Sequence, residues 1–534
     1  MKLNSKELQD KAAWEKAGIS LPKFDSNAMV EATKKTPQWV HFGAGNIFRA
    51  FPAALQQTLL EKGLEKSGII VAEGYDGEII DKLFVPHDNL SLVVTLKADG
   101  GIDKKVIGSI ASAHRIDKEA ELDKLRAVFR NPSLQMVSFT ITEKGYSLSS
   151  PKGTLPDVDA DFKAGPAKPS SYIGRLTALC YERYKAGALP LALVSMDNCS
   201  HNGDKLYAAV ETFARVWTDA GLVEKGFLEY IRDPKKVSFP WSMIDKITPR
   251  PDESVKLMLE KIGFTDTEGQ VTSKNTYIAP FVNAEEAQYL VIEDLFPNGR
   301  PALENAGVLF ATREIVDKVE KMKVCTCLNP LHTALAVFGC LLGYTKISDE
   351  MKDKDLLKLV EIIGYKEGLP VVVDPGIISP KQFIDEVLKV RIPNPFMPDT
   401  PQRIATDTSQ KIPIRFGETI KAYKASSSLN VKDLKLIPLV LAAWIRYILG
   451  IDDEGKPFEL SPDPMLPVLQ ESLKGIELGK PETAKGKLRP ILSNEKIFGV
   501  NLYDAGLAGQ VESYFDEMIA GKGAVRKTLH KYVA

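Results

Sequence analysis

The sequence has few cysteines, few histidines and no excess of charge of either sign. Its five cysteines are an odd number without a C-x-x-C pair, and its six histidines have no metal-ligand spacing. We therefore predict reduced thiols, no disulfide framework and no bound metal. The 69 basic and 70 acidic residues nearly cancel, so the electrostatic footprint of a nucleic-acid-binding protein is absent.

A long hydrophobic segment is also missing. The polar residues 1–16 contain no apolar signal-peptide core. The most apolar run, residues 436–445, is too short to cross a bilayer. We predict a cytoplasmic protein that contacts neither membrane nor nucleic acid.

Strand-like and helix-like segments alternate in the first part of the chain. Residues 39–42 have the composition of a short strand, residues 47–62 have helical spacing of apolar residues, and a second strand ends at Glu73. Such alternation indicates a doubly wound parallel sheet. Further strands are predicted at residues 90–96, 134–142 and 189–195.

Helical periods dominate from about residue 301 onward, beginning with residues 305–323. A turn-rich stretch, residues 296–301, separates the two parts. We predict an α/β protein with a Rossmann-like cofactor-binding domain at residues 1–300, including a polar leader, and a mostly α-helical domain at residues 301–534.

A glycine pair lies where a dinucleotide-binding fold requires it, between the first strand and the first helix. Gly43 and Gly45 would let backbone N–H groups approach a pyrophosphate, although Phe48 stands where the third glycine of the motif is usual. Glu73 or Asp76 would accept hydrogen bonds from the adenosine ribose, and no arginine lies between Ile69 and Ile80 to hold a 2′-phosphate. We predict NAD rather than NADP. The alternative interpretation of the glycine pair is an ordinary strand-to-helix turn that binds no cofactor.

The segment Lys323 to His332 brings an amine, a carboxamide and an imidazole close together in sequence. A proton transfer to or from a sugar hydroxyl needs such groups. Asn329 followed by proline predicts a helix N-cap. His332 would then lie in the first turn, where the helix dipole lowers its pKa. The alternative is a solvated lysine, a structural cap and a satisfied histidine.

Six motifs in a fixed order carry a resemblance to a known family. They are Phe42-Gly-Ala-Gly-Asn-Ile-Phe-Arg49, Thr142-Glu-Lys-Gly-Tyr146, Ser195-Met-Asp-Asn198 with Asn202-Gly203, Phe239-Pro-Trp-Ser-Met-Ile-Asp245-Lys-Ile-Thr-Pro249, Lys323 with Asn329 and His332, and Arg403-Ile-Ala-Thr-Asp-Thr-Ser-Gln-Lys411-Ile-Pro413. From about residue 38 to 530 the chain resembles the mannitol dehydrogenase family, the polyol-specific long-chain dehydrogenases.

The resemblance implies a metal-independent, NAD(P)-dependent interconversion of a ketose or ketouronate with its polyol or aldonate. It implies that Lys323 is the general acid/base and that Asn198 and Asn329 hold the reacting oxygen. It further implies that His332 orients the substrate, that Asp245, Arg403 and Lys411 bind it, and that the protein is a monomer. The predicted cofactor-binding residues are Gly43, Gly45, Asn46, Ile47, Glu73, Asp76, Thr142 and Glu143.

One spacing departs from the family pattern. The family's lysine precedes its asparagine by five residues, whereas Lys323 precedes Asn329 by six. Either a one-residue bulge restores the position of Lys323, or Lys321 or another amine is the acid/base.

Within the family we predict the interconversion of D-fructuronate and D-mannonate. The overall resemblance favours it, and so does a basic cluster, Arg403, Lys411 and Arg415, that suits a substrate carboxylate. Tagaturonate reductase and mannitol 2-dehydrogenase activities are the near alternatives. A non-catalytic nucleotide-sensing protein and a methyltransferase are alternatives from other classes.

Overall fold

A computed structural model describes all residues of the chain, Met1–Ala534. The chain divides into two compact units. The first comprises Met1–Leu96 and Gly101–Asp317, and the second comprises Lys97–Gly100 and Lys318–Ala534. The division into domains at residues 1–300 and 301–534 stays a prediction.

A six-stranded, all-parallel sheet forms the centre of the first unit, which confirms the predicted fold class. Numbered along the chain, its strands stand in the spatial order 3-2-1-4-5-6 of a dinucleotide-binding Rossmann fold. In this spatial order the strands are Ile110–Arg115, Ile69–Glu73, Trp39–Phe42, Met136–Phe139, Leu191–Ser195 and Val237–Ser238. The strand order reverses between Trp39–Phe42 and Met136–Phe139, and ligands bind at such a reversal.

Both faces of this sheet are apolar because its strands are buried on both sides. Val40 and Phe42 belong to one hydrophobic cluster, and Trp39 belongs to the cluster on the opposite face. Helices cover the two faces. The helices that lie wholly within the first unit are Lys11–Lys16, Ser26–Lys35, Asn46–Ala50, Pro52–Glu61, Glu119–Arg130, Pro156–Ala164, Tyr172–Lys185, Asn202–Asp219, Lys225–Arg232 and Glu253–Lys261.

The strand predicted at residues 90–96 forms, over Ser91–Leu96, but outside the parallel sheet. It pairs antiparallel with Ile102–Ile107, because the short connection between them permits only a hairpin. The two belong to a mixed sheet with the order Ile19–Ser20, Ile102–Ile107, Ser91–Leu96 and Phe281–Glu285.

Two predicted helices were wrong in their extent. The helix predicted at residues 47–62 is interrupted at Phe51, because Pro52 has no N–H group to continue the ladder. The helix predicted at residues 305–323 begins only at Arg313, because Leu309–Ala311 is a strand that pairs with Tyr289–Glu293. Tertiary pairing overrides helical periodicity there.

The sheet that contains Leu309–Ala311 and Tyr289–Glu293 also contains Ser242–Asp245. Two small hairpins complete the strands: Ser149–Ser150 with Gly153–Thr154, and Gln270–Val271 with Tyr277–Ile278.

The second unit is helical, as predicted. Its two most apolar helices, Asn329–Leu341 and Leu436–Tyr447, are buried over nearly their whole surfaces and pack against each other. After the helix Arg313–Lys321, the α-helices are Asn329–Leu341, Ile347–Glu350, Lys354–Ile362, Pro380–Glu386, Pro401–Ile404, Thr408–Ile412, Glu418–Ala425, Leu436–Tyr447, Leu466–Leu473, Arg489–Leu492, Glu495–Phe498, Ala508–Met518 and Ala524–Val533.

Short π-helices recur in the second unit. They are Met322–Cys327, Ile363–Gly368, Val387–Arg391 and Pro413–Gly417, and single π-turns of this kind are frequent at functional sites.

One helical stretch, Arg313–Leu341, is long and apolar enough to cross a membrane by composition, but 72% of its most apolar window is buried inside the protein.

Candidate active site

A cleft of about 650 Å³ lies at the carboxyl ends of the central strands of the first unit. Four of the predicted cofactor-binding residues line it: Gly43, Gly45, Glu73 and Thr142. Its volume is that of a small-molecule site. The cleft therefore lies where a Rossmann fold binds its dinucleotide.

The two glycines of the turn are required for different reasons. Gly43 has a φ of +108°, and a Cβ there would lie 2.4 Å from the carbonyl oxygen of Thr140. Gly45 has ordinary extended backbone, and a Cβ there would meet no atom within 4 Å. Gly43 is thus needed for the turn itself, whereas Gly45 keeps open the space in front of the helix. Where a third glycine is usual, Phe48 is buried and stacks on His41.

The carboxylate of Glu73 joins the second strand to the glycine turn. It accepts hydrogen bonds from the backbone N–H groups of Ala44 at 2.9 Å, Tyr75 at 2.7 Å and Asp76 at 2.9 Å. The carboxylate of Asp76 accepts the hydroxyl of Thr272 at 2.5 Å and lines a smaller neighbouring pocket. Both acids therefore already have partners within the protein.

Tyr172 is a residue of the cleft that the sequence did not point to. Its ring approaches Gly74 so closely that a Cβ there would lie 2.7 Å from it, and it lines the cleft. Its hydroxyl is buried without a hydrogen-bond partner, and burial raises its pKa well above the usual value. A buried, unpartnered hydroxyl beside Glu73 is the donor that a bound ribose or adenine would satisfy.

The remaining predicted cofactor residues lie outside the cleft lining. Asn46 accepts a hydrogen bond from the buried guanidinium of Arg49 at 2.7 Å, and Ile47 packs against the hydrophobic core. Glu143 is exposed and forms an ion pair with Lys205 at 2.9 Å. The structure therefore brings four of the eight predicted residues together around the cleft.

Asp197 holds the loop that follows the fourth parallel strand. Its carboxylate accepts the N–H groups of Ile141 at 3.1 Å and Thr142 at 2.8 Å, and also the hydroxyl of Tyr146. Thr142 has a φ of +65°, which is strained for a β-branched residue. Asp197 thus stabilises a strained turn at the rim of the cleft. The adjacent Asn198, a predicted site residue, follows the fifth strand and is exposed.

Asp245, a predicted substrate contact, ends the strand Ser242–Asp245 and is 6% exposed. It lies opposite Tyr289 in the antiparallel register.

Lys323 lies in the π-helix Met322–Cys327 of the second unit. The backbone N–H of Leu328 donates to the carbonyl of Lys323 at 3.1 Å, so this turn encloses one residue more than an α-helical turn. Lys323 is 4% exposed, whereas Lys321 is exposed.

The helix that carries Asn329 and His332 begins one residue earlier than predicted. The carbonyl of Leu328 accepts the N–H of His332 at 3.1 Å, so Leu328 is the N-cap residue and Asn329 is the first residue of the helix. The carboxamide of Asn329 does not cap the helix, and its backbone carbonyl accepts the hydroxyl of Thr333 at 2.9 Å. The predicted cap was wrong because Leu328, which directly follows the π-helix Met322–Cys327, occupies the N-cap position.

Three of the predicted site residues, His332, Arg403 and Lys411, come together in the second unit. The carboxylate of Asp399 lies 3.5 Å from Nε2 of His332 and forms an ion pair with Arg403. The ammonium group of Lys411 donates to the carbonyls of Ile404, at 3.1 Å, and Thr406. Asp399, which the sequence motifs did not include, thus links two of the three.

The imidazole of His332 is held neutral, as predicted, but not chiefly by the helix dipole. Burial lowers its pKa to about 3, and the nearby positive charges of Arg415, Arg403, Arg391 and Lys411 act in the same direction. Burial and Arg415 likewise lower the pKa of Lys411. The charges that act on the imidazole are therefore predominantly positive.

The lowered pKa of His332 predicts a pH-dependent stability. The unfolded histidine binds a proton below its ordinary pKa of about 6.5 and the folded one does not until about pH 3, so stability is lost as pH falls through that window. Between pH 7.5 and 5.5, His332→Gln should lose about 1.4 kcal/mol less unfolding free energy than the native chain. Urea denaturation at both pH values measures this, with the exposed His530→Gln as control. Equal pH dependence in the native chain and His332→Gln would contradict it.

No group of three or more His, Cys, Asp and Glu side chains that could hold a metal ion occurs in the chain. All five cysteines are unpaired.

Comparison with known proteins shows the family. The mannitol dehydrogenase Rossmann domain model matches residues 37–305, and the mannitol dehydrogenase C-terminal domain model matches residues 315–519. A D-mannonate oxidoreductase from Thermotoga maritima is 56% identical, over 100% of this chain and 99% of the relative. A mannitol 2-dehydrogenase from Neosartorya fischeri is 30% identical, over 100% of this chain and 99% of the relative.

Solved structures agree with the fold. A D-sorbitol dehydrogenase structure in substrate-free form has a TM-score of 0.79 at 23% identity and covers 100% of both chains. The Pseudomonas fluorescens mannitol 2-dehydrogenase, solved as a ternary complex with NAD and D-mannitol, has a TM-score of 0.68 at 25% identity and covers 99% of both chains. The chain therefore belongs to the mannitol dehydrogenase family. It is an oxidoreductase with a Rossmann sheet, a cleft at the switch point of that sheet and a cofactor of the NAD or NADP type.

Proposed function

We propose that the protein is an NAD-dependent oxidoreductase that interconverts D-fructuronate and D-mannonate. The observation that carries this proposal is the 56% identity, over the full length, to a relative named D-mannonate oxidoreductase. The cations around His332 support a substrate that bears a carboxylate.

We propose NAD rather than NADP because of the pocket next to Glu73. Arg115, Arg175 and Lys274 reach this pocket from distant parts of the chain, but Asp76, Glu78, Asp117 and Asp157 line it too. Arg115 is already bound to Asp117 at 2.6 Å and to Asp81. The four carboxylates outnumber the three cations of this pocket, so its net charge disfavours the 2′-phosphate of NADP. In this proposal Glu73 and Asp76 shape the ribose site, with the hydroxyl of Tyr172 as a further donor.

When bound, the nicotinamide supplies the hydride in the reducing direction. Negative charge then grows on the substrate oxygen, and the amide groups of Asn198 and Asn329 are proposed to donate to it, an effect of about 3 kcal/mol per donor. Lys323 is proposed to deliver the proton. His332, neutral and beside Asp399, is proposed to orient the substrate hydroxyls, with Asp245, Arg403 and Lys411 as further contacts.

The π-turn supports Lys323 over Lys321 as the acid/base. Because a π-turn takes up one extra residue, a lysine six positions before Asn329 keeps the helical phase that the family's lysine has at five. Lys323 is also buried, as a proton-transferring amine should be, whereas Lys321 faces solvent.

The absorbance of NADH at 340 nm tests the proposal with D-fructuronate, D-tagaturonate, D-fructose and D-fructose 6-phosphate. We expect the highest kcat/KM with D-fructuronate and NADH, and a lower value when NADPH replaces NADH. No oxidation with any substrate would contradict an active dehydrogenase. A preference for D-tagaturonate or D-fructose would replace the proposed substrate, and a preference for NADPH would contradict the cofactor assignment.

We further propose a cytoplasmic monomer. Size-exclusion chromatography with light scattering tests the monomer, for which the calculated mass is 58.8 kDa.

A further inference from the structure

Three of the four cations near His332 form the basic cluster Arg403, Lys411 and Arg415, and they differ in whether a carboxylate acts on their charge. Arg403 is bound to Asp399, which also faces His332. Lys411 is held by two backbone carbonyls, and Asp407 and Asp463 act on its charge. Neither group is therefore a free charge for a ligand.

Arg415 is the exception. Its guanidinium donates from Nη1 to the hydroxyl of Thr333 at 2.6 Å, and no carboxylate lies within ion-pair distance of it. It is half-buried, and burial lowers its pKa to about 10. A half-buried guanidinium without an anionic partner is costly to keep, and a bound anion would compensate it.

The position of Arg415 also fits a ligand-binding role. It lies in the π-helix Pro413–Gly417 and contacts Thr333, the residue that follows His332 in the chain. Among the surrounding cations, Arg415 lowers the pKa of the His332 imidazole most. The single bond to Thr333 fixes one end of the guanidinium and leaves its other N–H groups to form a bidentate pair.

We propose that Arg415 binds the carboxylate of the substrate and makes the enzyme selective for ketouronates and aldonates over neutral ketoses and polyols. The inference rests on the proposed function and goes beyond it by assigning selectivity to one side chain, positioned by Thr333. Arg403, Lys411 and His332 then serve the hydroxyl groups that charged and neutral substrates share.

The test compares a charged and a neutral ligand in the same holoenzyme. D-Mannonate and D-mannitol are titrated into the enzyme saturated with NADH, so that no turnover occurs, and their dissociation constants are measured by calorimetry. Arg415→Gln should weaken D-mannonate binding by about 10–100-fold, the range of a charge-assisted hydrogen bond, and leave D-mannitol binding within about twofold. Arg526→Gln is the matched control, because Arg526 in the same unit is already paired with Asp353 at 2.6 Å.

Each outcome has a distinct meaning. If the native enzyme reduces no ketouronate, the proposed function fails, whatever Arg415 does. If it reduces D-fructuronate but Arg415→Gln binds both ligands as the native enzyme does, or loses both equally, the assignment of Arg415 is overturned. Should Arg415→Gln fail to fold, Arg415→Lys decides: it keeps the charge and loses the fork, so D-mannonate alone should bind more weakly, and unchanged D-mannonate binding would overturn the assignment.

Discussion

Replacing Lys323 by methionine is expected to lower kcat by about 10²–10⁴-fold, the contribution of a positioned general acid/base. Methionine keeps the length and apolar stem of the buried lysine, so the fold and the affinity for NADH should remain. The same replacement of the exposed Lys321 should leave kcat within about twofold, because that side chain faces solvent. Steady-state kinetics with D-fructuronate and NADH measures both variants.

Two further readouts separate a catalytic lysine from a structural one. The pH profile of kcat should lose the limb that reports the acid/base, and small primary amines added to Lys323→Ala should restore part of the activity. If instead Lys321→Met abolishes turnover and Lys323→Met does not, the π-turn has not placed Lys323 as argued and the acid/base is Lys321.

Gly43→Ala and Gly45→Ala are expected to impair different properties, the first the stability and the second the binding of NADH. Gly43→Ala should lower the unfolding free energy by about 2–5 kcal/mol, because its Cβ would meet the Thr140 carbonyl at a positive φ. Gly45→Ala should leave the stability of the free protein unchanged, because nothing lies near its Cβ, but should weaken NADH binding at least tenfold by filling the space in front of the helix.

Urea denaturation without cofactor and NADH fluorescence titration measure the two effects. Gly45→Ala is the matched control for the stability of Gly43→Ala, and the comparison isolates the two roles of the glycine turn. A Gly45→Ala protein that binds NADH like the native chain would show that the cofactor does not approach this turn.

The parallel sheet and its glycine turn were predictable because local patterns encode them. Strands such as Trp39–Phe42 are continuously apolar, and Gly43 follows where no other residue fits the backbone. The helix bounds were less predictable. Pro52 divides a helix whose apolar spacing is continuous, and Leu309–Ala311 becomes a strand through pairing with a distant segment.

The candidate site was predictable where a motif keeps its residues together and not where the fold gathers them. His332, Arg403 and Lys411 followed from the family motifs, and they meet around the cluster as expected of one site. Tyr172, Asp197 and Asp399 carry no local signal, because their roles arise only from packing between distant elements. The π-turn at Lys323 is intermediate, since the six-residue spacing had pointed to a bulge without fixing its form.

The most direct test of the central claim follows the hydride itself. The enzyme is incubated with D-fructuronate and NADH that carries deuterium at both positions of nicotinamide C4, and the product is analysed by NMR and mass spectrometry. We expect D-mannonate with one deuterium, bound to the carbon that was the ketone of D-fructuronate. Absence of D-mannonate, or D-mannonate without deuterium at that carbon, would contradict it.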